Sequence, residues 1–134
     1  YPYKHAKNVI DPEFGDMIPS VDKEFVDPIA ELGAHVAPLG IAFYDSKEFP
    51  EKYHNSVFIA LHGSWNRTKK SGYKVILVKL DDNGNYLYQE DFITGWLSNE
   101  TAWGRPAAPF VMSDGSLLVS DDKHNVIYKV QYKG

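Results

Sequence analysis

The sequence contains no cysteine, which removes disulfide frameworks and thiolate metal sites and fits a periplasmic or a cytosolic setting equally. It holds no run near the roughly 18 apolar residues that a membrane-spanning helix needs. It also lacks a positive excess. Its 14 Lys and Arg stand against 18 Asp and Glu, a formal net charge of −4, which argues against a nucleic-acid surface. No stretch reads as a signal peptide, and the chain opens on Tyr1-Pro2-Tyr3 without an initiator Met, the expectation for a mature or truncated piece. What is present is a 134-residue chain, 43% hydrophobic, long enough for one small domain with a real core. Aromatics reach 14%, with nine Tyr, which suits β structure.

The stretch from Val57 to Arg67 organises the chain. Val57 to Leu61 is a continuous apolar run, the pattern of a strand buried on both faces. His62, Gly63, Ser64, Trp65, Asn66 and Arg67 follow without a polar transition. Hydrogen-bonding groups, a free backbone, a large ring and a fixed cation at a strand end suit the mouth of a cleft, because loops on a rigid scaffold carry function. A second stretch, Trp103-Gly104-Arg105-Pro106, has the same character just before another strand. Both are expected to face one anionic ligand.

Taken in order, residues 1–36 are punctuated by Pro2, Pro12, Pro19 and Pro28. Asp11 to Gly15 reads as a turn, and Phe25 to Leu32 as a short helical turn. From residue 37 strands are expected over 37–44, 56–62, 73–80 and 86–94, with a hairpin turn at Asp81 to Gly84. The rhythm then restarts with strands over 107–112, 116–120 and 126–132. Four strands followed by three at short spacing read as β-propeller blades; a self-contained seven-strand sandwich or barrel fits the strand count equally well. The corresponding division is a loop segment over 1–36, a four-stranded blade over 37–95 and a three-stranded blade over 96–134.

Three stretches together, Ala34 to Tyr44, Phe58 to Arg67, and Gly104 to Ala107 with Asp114 to Asp122, resemble the C-terminal part of the glucose/sorbosone dehydrogenase family, on its sorbosone-dehydrogenase-like branch. The His-Gly-Ser-Trp-Asn-Arg string at 62–67 is the most specific of these motifs. The resemblance implies an all-β fold: the last two blades of a six-bladed β-propeller, the final blade lacking its outer strand. It implies a PQQ-dependent sugar dehydrogenase, with PQQ and Ca²⁺ as cofactors, a periplasmic or secreted setting, a sugar substrate and an electron acceptor. The remaining blades, or a second chain, would complete the ring. The family's catalytic histidine sits in an earlier blade, so no residue of this chain is expected to be the catalytic base.

Arg105 matches the family arginine ahead of the final blade, and Arg67 a cationic position after a gap. A guanidinium fork suits the carboxylates of PQQ, although either arginine could equally be structural. Trp65 and Trp103 are candidates to stack on a planar ring, against ordinary loop packing. His62 and His35 stand at strand ends as hydrogen-bonding candidates, against satisfied structural histidines. Tyr1 and Pro2 match the turn whose carbonyls would hold Ca²⁺, a hard cation that takes oxygen ligands. Asp121 and Asp122 read as a solvated turn. Where the soluble glucose dehydrogenases carry aromatics beside the quinone, this chain has Leu32-Gly33. The alternative function is a non-catalytic propeller that binds a sugar or a partner.

Overall fold

A computed structural model describes residues 3–18 and 25–134. The chain divides into two compact units, Tyr1–Glu31 and Leu32–Gly134. In the first, β1 (Lys4–Ala6) pairs antiparallel with β2 (Val9–Ile10). The expected turn at Asp11 forms. Its Oδ1 accepts the backbone N–H groups of Glu13 at 2.8 Å and Phe14 at 2.6 Å, the short-range side-chain capping for which Asp is favoured in turns. A single 3₁₀ turn follows at Gly15–Met17. The helical turn expected over 25–32 does not form. The side chains there bond to the first hairpin instead: Asp27 pairs with the Lys4 ammonium, and Glu31 accepts the Lys7 N–H at 2.9 Å.

The second unit carries the strands expected from the sequence. β3 (Pro38–Tyr44), β4 (Ser56–Leu61), β5 (Lys74–Leu80) and β6 (Tyr86–Ile93) form an antiparallel sheet in that order. A hairpin too short to read from the sequence, β7 (Leu97–Ser98) with β8 (Thr101–Ala102), comes next. β9 (Pro106–Val111), β10 (Leu117–Asp121) and β11 (Val126–Val130) make a second, three-stranded antiparallel sheet. The described residues are therefore all-β apart from two single 3₁₀ turns. The hairpin connections follow Asx chemistry. Asp81 Oδ1 accepts the N–H of Asn83 and Asn85 at 2.9 and 2.7 Å, and Asp114 Oδ1 accepts that of Ser116 at 2.9 Å.

The two sheets share one core of Tyr44, Phe49, Phe58, Tyr73, Val75, Leu77, Trp96, Leu117 and Val119. Tyr44 ties them together: its hydroxyl donates to the Gly115 carbonyl at 3.0 Å and accepts the Phe49 N–H at 2.9 Å. β3 packs against β9, and the approach is close because Gly40 has no side chain. A Cβ there would lie 2.5 Å from Ala108 Cα and 2.6 Å from the Ala107 carbonyl. Both positions border backbone, so the approach of one sheet to the other is set by a missing methyl.

Candidate functional site

The ends of β4 and β5, the β7–β8 hairpin and the turn after β10 border an open cleft of about 690 Å³, a volume in the range of small-molecule sites. It is lined by His62, Ser64, Trp65 and Tyr73 from the first sheet's end, and by Glu100, Arg105, Asp122 and Lys123 from later in the chain.

The His62–Trp65 segment leaves the sheet under backbone control. His62 and Gly63 donate their N–H groups to the carbonyls of Ala37 and Val36, each at 2.9 Å, and Ser64 donates to Ser71 at 2.9 Å. Gly63 sits at φ 98°, and a Cβ on it would lie 2.5 Å from the Tyr73 ring. Glycine is thus required there on both conformational and steric grounds. The Tyr73 hydroxyl in turn donates to the Ser64 carbonyl. On this fixed segment the Trp65 indole stands 88% exposed. A large aromatic held in water by a rigid loop gives up burial that it would have in the core, an arrangement that marks interaction sites.

Arg105 reaches the cleft from the opposite sheet. Its Nε–H donates to the His62 carbonyl at 3.1 Å, and Nη2 donates to Gly63 at 2.7 Å and Ser64 at 3.3 Å. The guanidinium also lies over the Tyr73 ring, 5.3 Å from its centroid, within cation–π range. Its main interaction is therefore with the backbone of the other loop, and Nη1 is the part without a protein partner among the described residues.

Asp121 holds Arg105 at its base. Its carboxylate is 2% exposed. Oδ1 accepts the N–H groups of Arg105 at 3.0 Å, Lys123 at 3.1 Å and His124 at 2.9 Å, and Oδ2 accepts the Tyr128 hydroxyl at 3.3 Å. Burial pushes the Asp121 pKa up, but the donors of Arg105, His124, Tyr128 and Lys123 together outweigh it and hold the group below the ordinary carboxylate range. Asp122, one residue on, is exposed and accepts His62 Nε2–H through Oδ1 at 2.9 Å and Oδ2 at 3.1 Å. The two aspartates do not form a simple solvated turn: one organises a loop from inside, and the other crosses the cleft.

The cleft thus brings together His62, Trp65 and Arg105 from the sequence candidates. Arg67 lies elsewhere on its loop, where Nη1 donates to Ser71 at 3.1 Å and Ala34 at 3.4 Å. Trp103 packs edge-on to His124, with centroids 5.2 Å apart, and its indole N–H donates to Gly95. His35 is exposed at φ 63°. Tyr1 and Pro2 lie outside the described residues. Among the described residues no cluster of His, Asp and Glu is arranged to hold a metal ion, and no helix is long and apolar enough to cross a membrane. Among the cleft residues that the sequence did not single out are Lys70, Tyr73, Glu100 and Lys123, and Asp122 was read only as part of a solvated turn. Asp122 and His62 are separated by 60 residues, so no local motif marks the pair.

Comparison with known proteins extends this picture. The chain is 41% identical over 138 residues to an uncharacterized protein of Borreliella burgdorferi, a match covering 99% of the chain and 35% of that relative. It is 40% identical over 53 residues to a pyrroloquinoline quinone-dependent pyranose dehydrogenase of Coprinopsis cinerea, covering 40% of the chain and 6% of the enzyme. Among solved structures, the holo PQQ domain of the Coprinopsis cinerea pyranose dehydrogenase superposes with a TM-score of 0.58 at 26% identity, over 73% of this chain and 27% of that one. The calcium structure of the Trichoderma reesei family AA12 enzyme superposes with a TM-score of 0.64 at 21% identity, over 92% and 35% of the two chains, a likeness of fold. The chain thus spans about a third of the first relative's length. The family that matches is TrAA12-like, over residues 19–133, rather than the glucose/sorbosone dehydrogenases specifically, and the chain belongs to the TrAA12-like family.

Proposed function

We propose that this chain forms the last two blades of a six-bladed propeller in a PQQ-dependent sugar dehydrogenase, and supplies part of the mouth that holds the quinone. The observation that carries this reading is the meeting of His62, the exposed Trp65 and the Arg105 guanidinium on the walls of one cleft. The division into a loop segment over 1–36 and blades over 37–95 and 96–134 follows from the same reading. The apolar side chains of Leu39, Ile41 and Phe43, exposed on β3, and the unpaired edge of β11 support further sheets completing the ring.

The residues present fit a planar tricarboxylate. Both acidic groups of the wall are already engaged, Asp122 by His62 and Glu100 by the Lys70 N–H at 2.6 Å. The Lys70 ammonium and the Nη1 side of Arg105 remain to receive carboxylate, and the Trp65 face to stack on a fused ring. Arg67, Trp103 and His35, which do not line the cleft, are secondary candidates for contact with the bound group. When bound, the quinone supplies the redox chemistry, and the protein positions it and tunes its charge. Tyr1 and Pro2 are the residues that would bind Ca²⁺, a hard cation that takes oxygen ligands. The substrate would be an aldose, sorbosone or related pyranose, and the setting secreted or periplasmic.

The test is a PQQ titration of the full-length protein with and without Ca²⁺, followed by tryptophan fluorescence. Trp65→Ala is expected to weaken PQQ binding roughly tenfold, the loss of one stacking contact, while leaving the fold intact. Unchanged affinity in that variant removes this face from the site. Saturable sugar binding without dye reduction after PQQ loading favours the binding-module reading instead.

A further inference from the structure

We propose that Asp122 is a positioning residue that fixes His62 as the Nε2–H tautomer and so turns Nδ1 into a hydrogen-bond acceptor for a sugar hydroxyl in the cleft. The inference rests on the reading of the cleft given above and deepens it.

The geometry leaves the imidazole little freedom. Its backbone is bonded on both sides, with the N–H donating to Ala37 at 2.9 Å and the carbonyl accepting Arg105 Nε–H at 3.1 Å. The ring itself is only 16% exposed. Nε2 stands 2.9 and 3.1 Å from the two oxygens of one carboxylate. An ionised carboxylate only accepts, so the proton of a neutral imidazole must sit on Nε2. Nδ1 then carries the lone pair, and it has no protein partner among the described residues. A lone pair on a cleft wall accepts a hydrogen bond from a neutral O–H. A polyhydroxylated substrate supplies that group in several positions. The strand end alone does not choose between tautomers; the choice comes from a turn on the other sheet.

The experiment uses the full-length protein with ¹⁵N-labelled histidine. Long-range ¹H–¹⁵N spectra report the His62 tautomer, assigned through loss of its signals in His62→Gln. The wild type is expected to show the Nε2–H form, Asp122→Ala a mixture of tautomers, and Asp122→Glu the wild-type form restored. A monosaccharide added to the PQQ-loaded wild type is expected to move the Nδ1 resonance, and Asp122→Ala to raise KM for the sugar roughly tenfold with a smaller change in kcat, as for loss of one oriented hydrogen bond. A wild-type Nδ1–H form, or an unchanged tautomer in Asp122→Ala, overturns the positioning role. An Nδ1 resonance unmoved at saturating sugar overturns the acceptor role. The tautomer is read without turnover. Its change in Asp122→Ala with no dehydrogenase activity in the wild type would retain the positioning and reject the enzyme reading, whereas full activity with no change would do the reverse.

Discussion

The four-stranded and three-stranded sheets are held in different ways. In β5 four consecutive residues, Val75 to Val78, are buried, so both faces of that strand are covered. In β10 only alternate positions, Leu117, Val119 and Asp121, are buried, and Leu118 and Ser120 are half-exposed. One of those three buried positions is a carboxylate. The first sheet is thus secured by apolar area, and the second by one apolar face plus hydrogen bonds to aspartate. The comparison explains a division of labour at the cleft. The covered sheet presents the ring and the imidazole on a rigid edge, while the thinner sheet contributes the charged groups that bind across to it.

Substitution in the two central strands should break the comparison most visibly. Ile76→Ala is expected to cost about 3–4 kcal/mol, within the range for emptying a buried site, and Leu118→Ala less than half as much, both read from urea unfolding midpoints. Equal losses would show that the second face of β10 is as well covered as that of β5. Next comes the carboxylate at the end of β10. Asp121→Ala is expected to cost about 2–3 kcal/mol, because it leaves the N–H groups of Arg105, Lys123 and His124 without their acceptor. Hydrogen exchange should locate the loss at residues 104–105 and 121–125 and leave β4 and β5 protected.

The smallest effect is a dependence on acid. The Ser116 hydroxyl and N–H, with the Lys129 ammonium, hold Asp114 well below its ordinary value of 3.8, and Asp121 is lowered too. A carboxylate whose folded pKa is depressed stabilises the protein above its unfolded pKa, and that contribution disappears as pH falls through the folded value. Stability should therefore be flat above about pH 5 and decline below it. Asp114→Asn should flatten part of that decline in unfolding curves measured from pH 5 to pH 2. The four-stranded sheet carries a lowered aspartate as well, Asp81, held by the Asn85 side chain and N–H. Asp81 and Asp114 both sit in exposed hairpin turns, so the difference lies in the buried Asp121, and exchange protection should fail first in β9 to β11.

The strands of the second unit were legible because short apolar runs such as Val57 to Leu61, and the alternation over 126–132, are bounded by turns that Asp-Gly and Asn-Gly pairs mark. The β7–β8 hairpin was not, since two residues per strand carry no period. The expected helical turn near Phe25 failed because Asp27 and Glu31 find partners in the first hairpin, contacts that no local window contains. Residue types at the cleft were legible in part: His62, Trp65 and Arg105 meet there. Their partners were not. The bonds from Arg105 to the carbonyls of residues 62–64 span more than 40 residues, and a carbonyl leaves no trace in a side-chain sequence. The left-handed backbone at His35 and Ala37, φ 63° and 50°, is likewise imposed by the register of residues 36–37 against 62–63 rather than by either side chain.

The attachment of Arg105 to three successive carbonyls has a consequence for how such a cleft can diversify. Its width is set by main-chain atoms, which every substitution along the rim leaves in place. Trp65, Lys70, Glu100 and Lys123 are therefore free to be exchanged for other side chains, changing what is admitted while the frame around it keeps its dimensions.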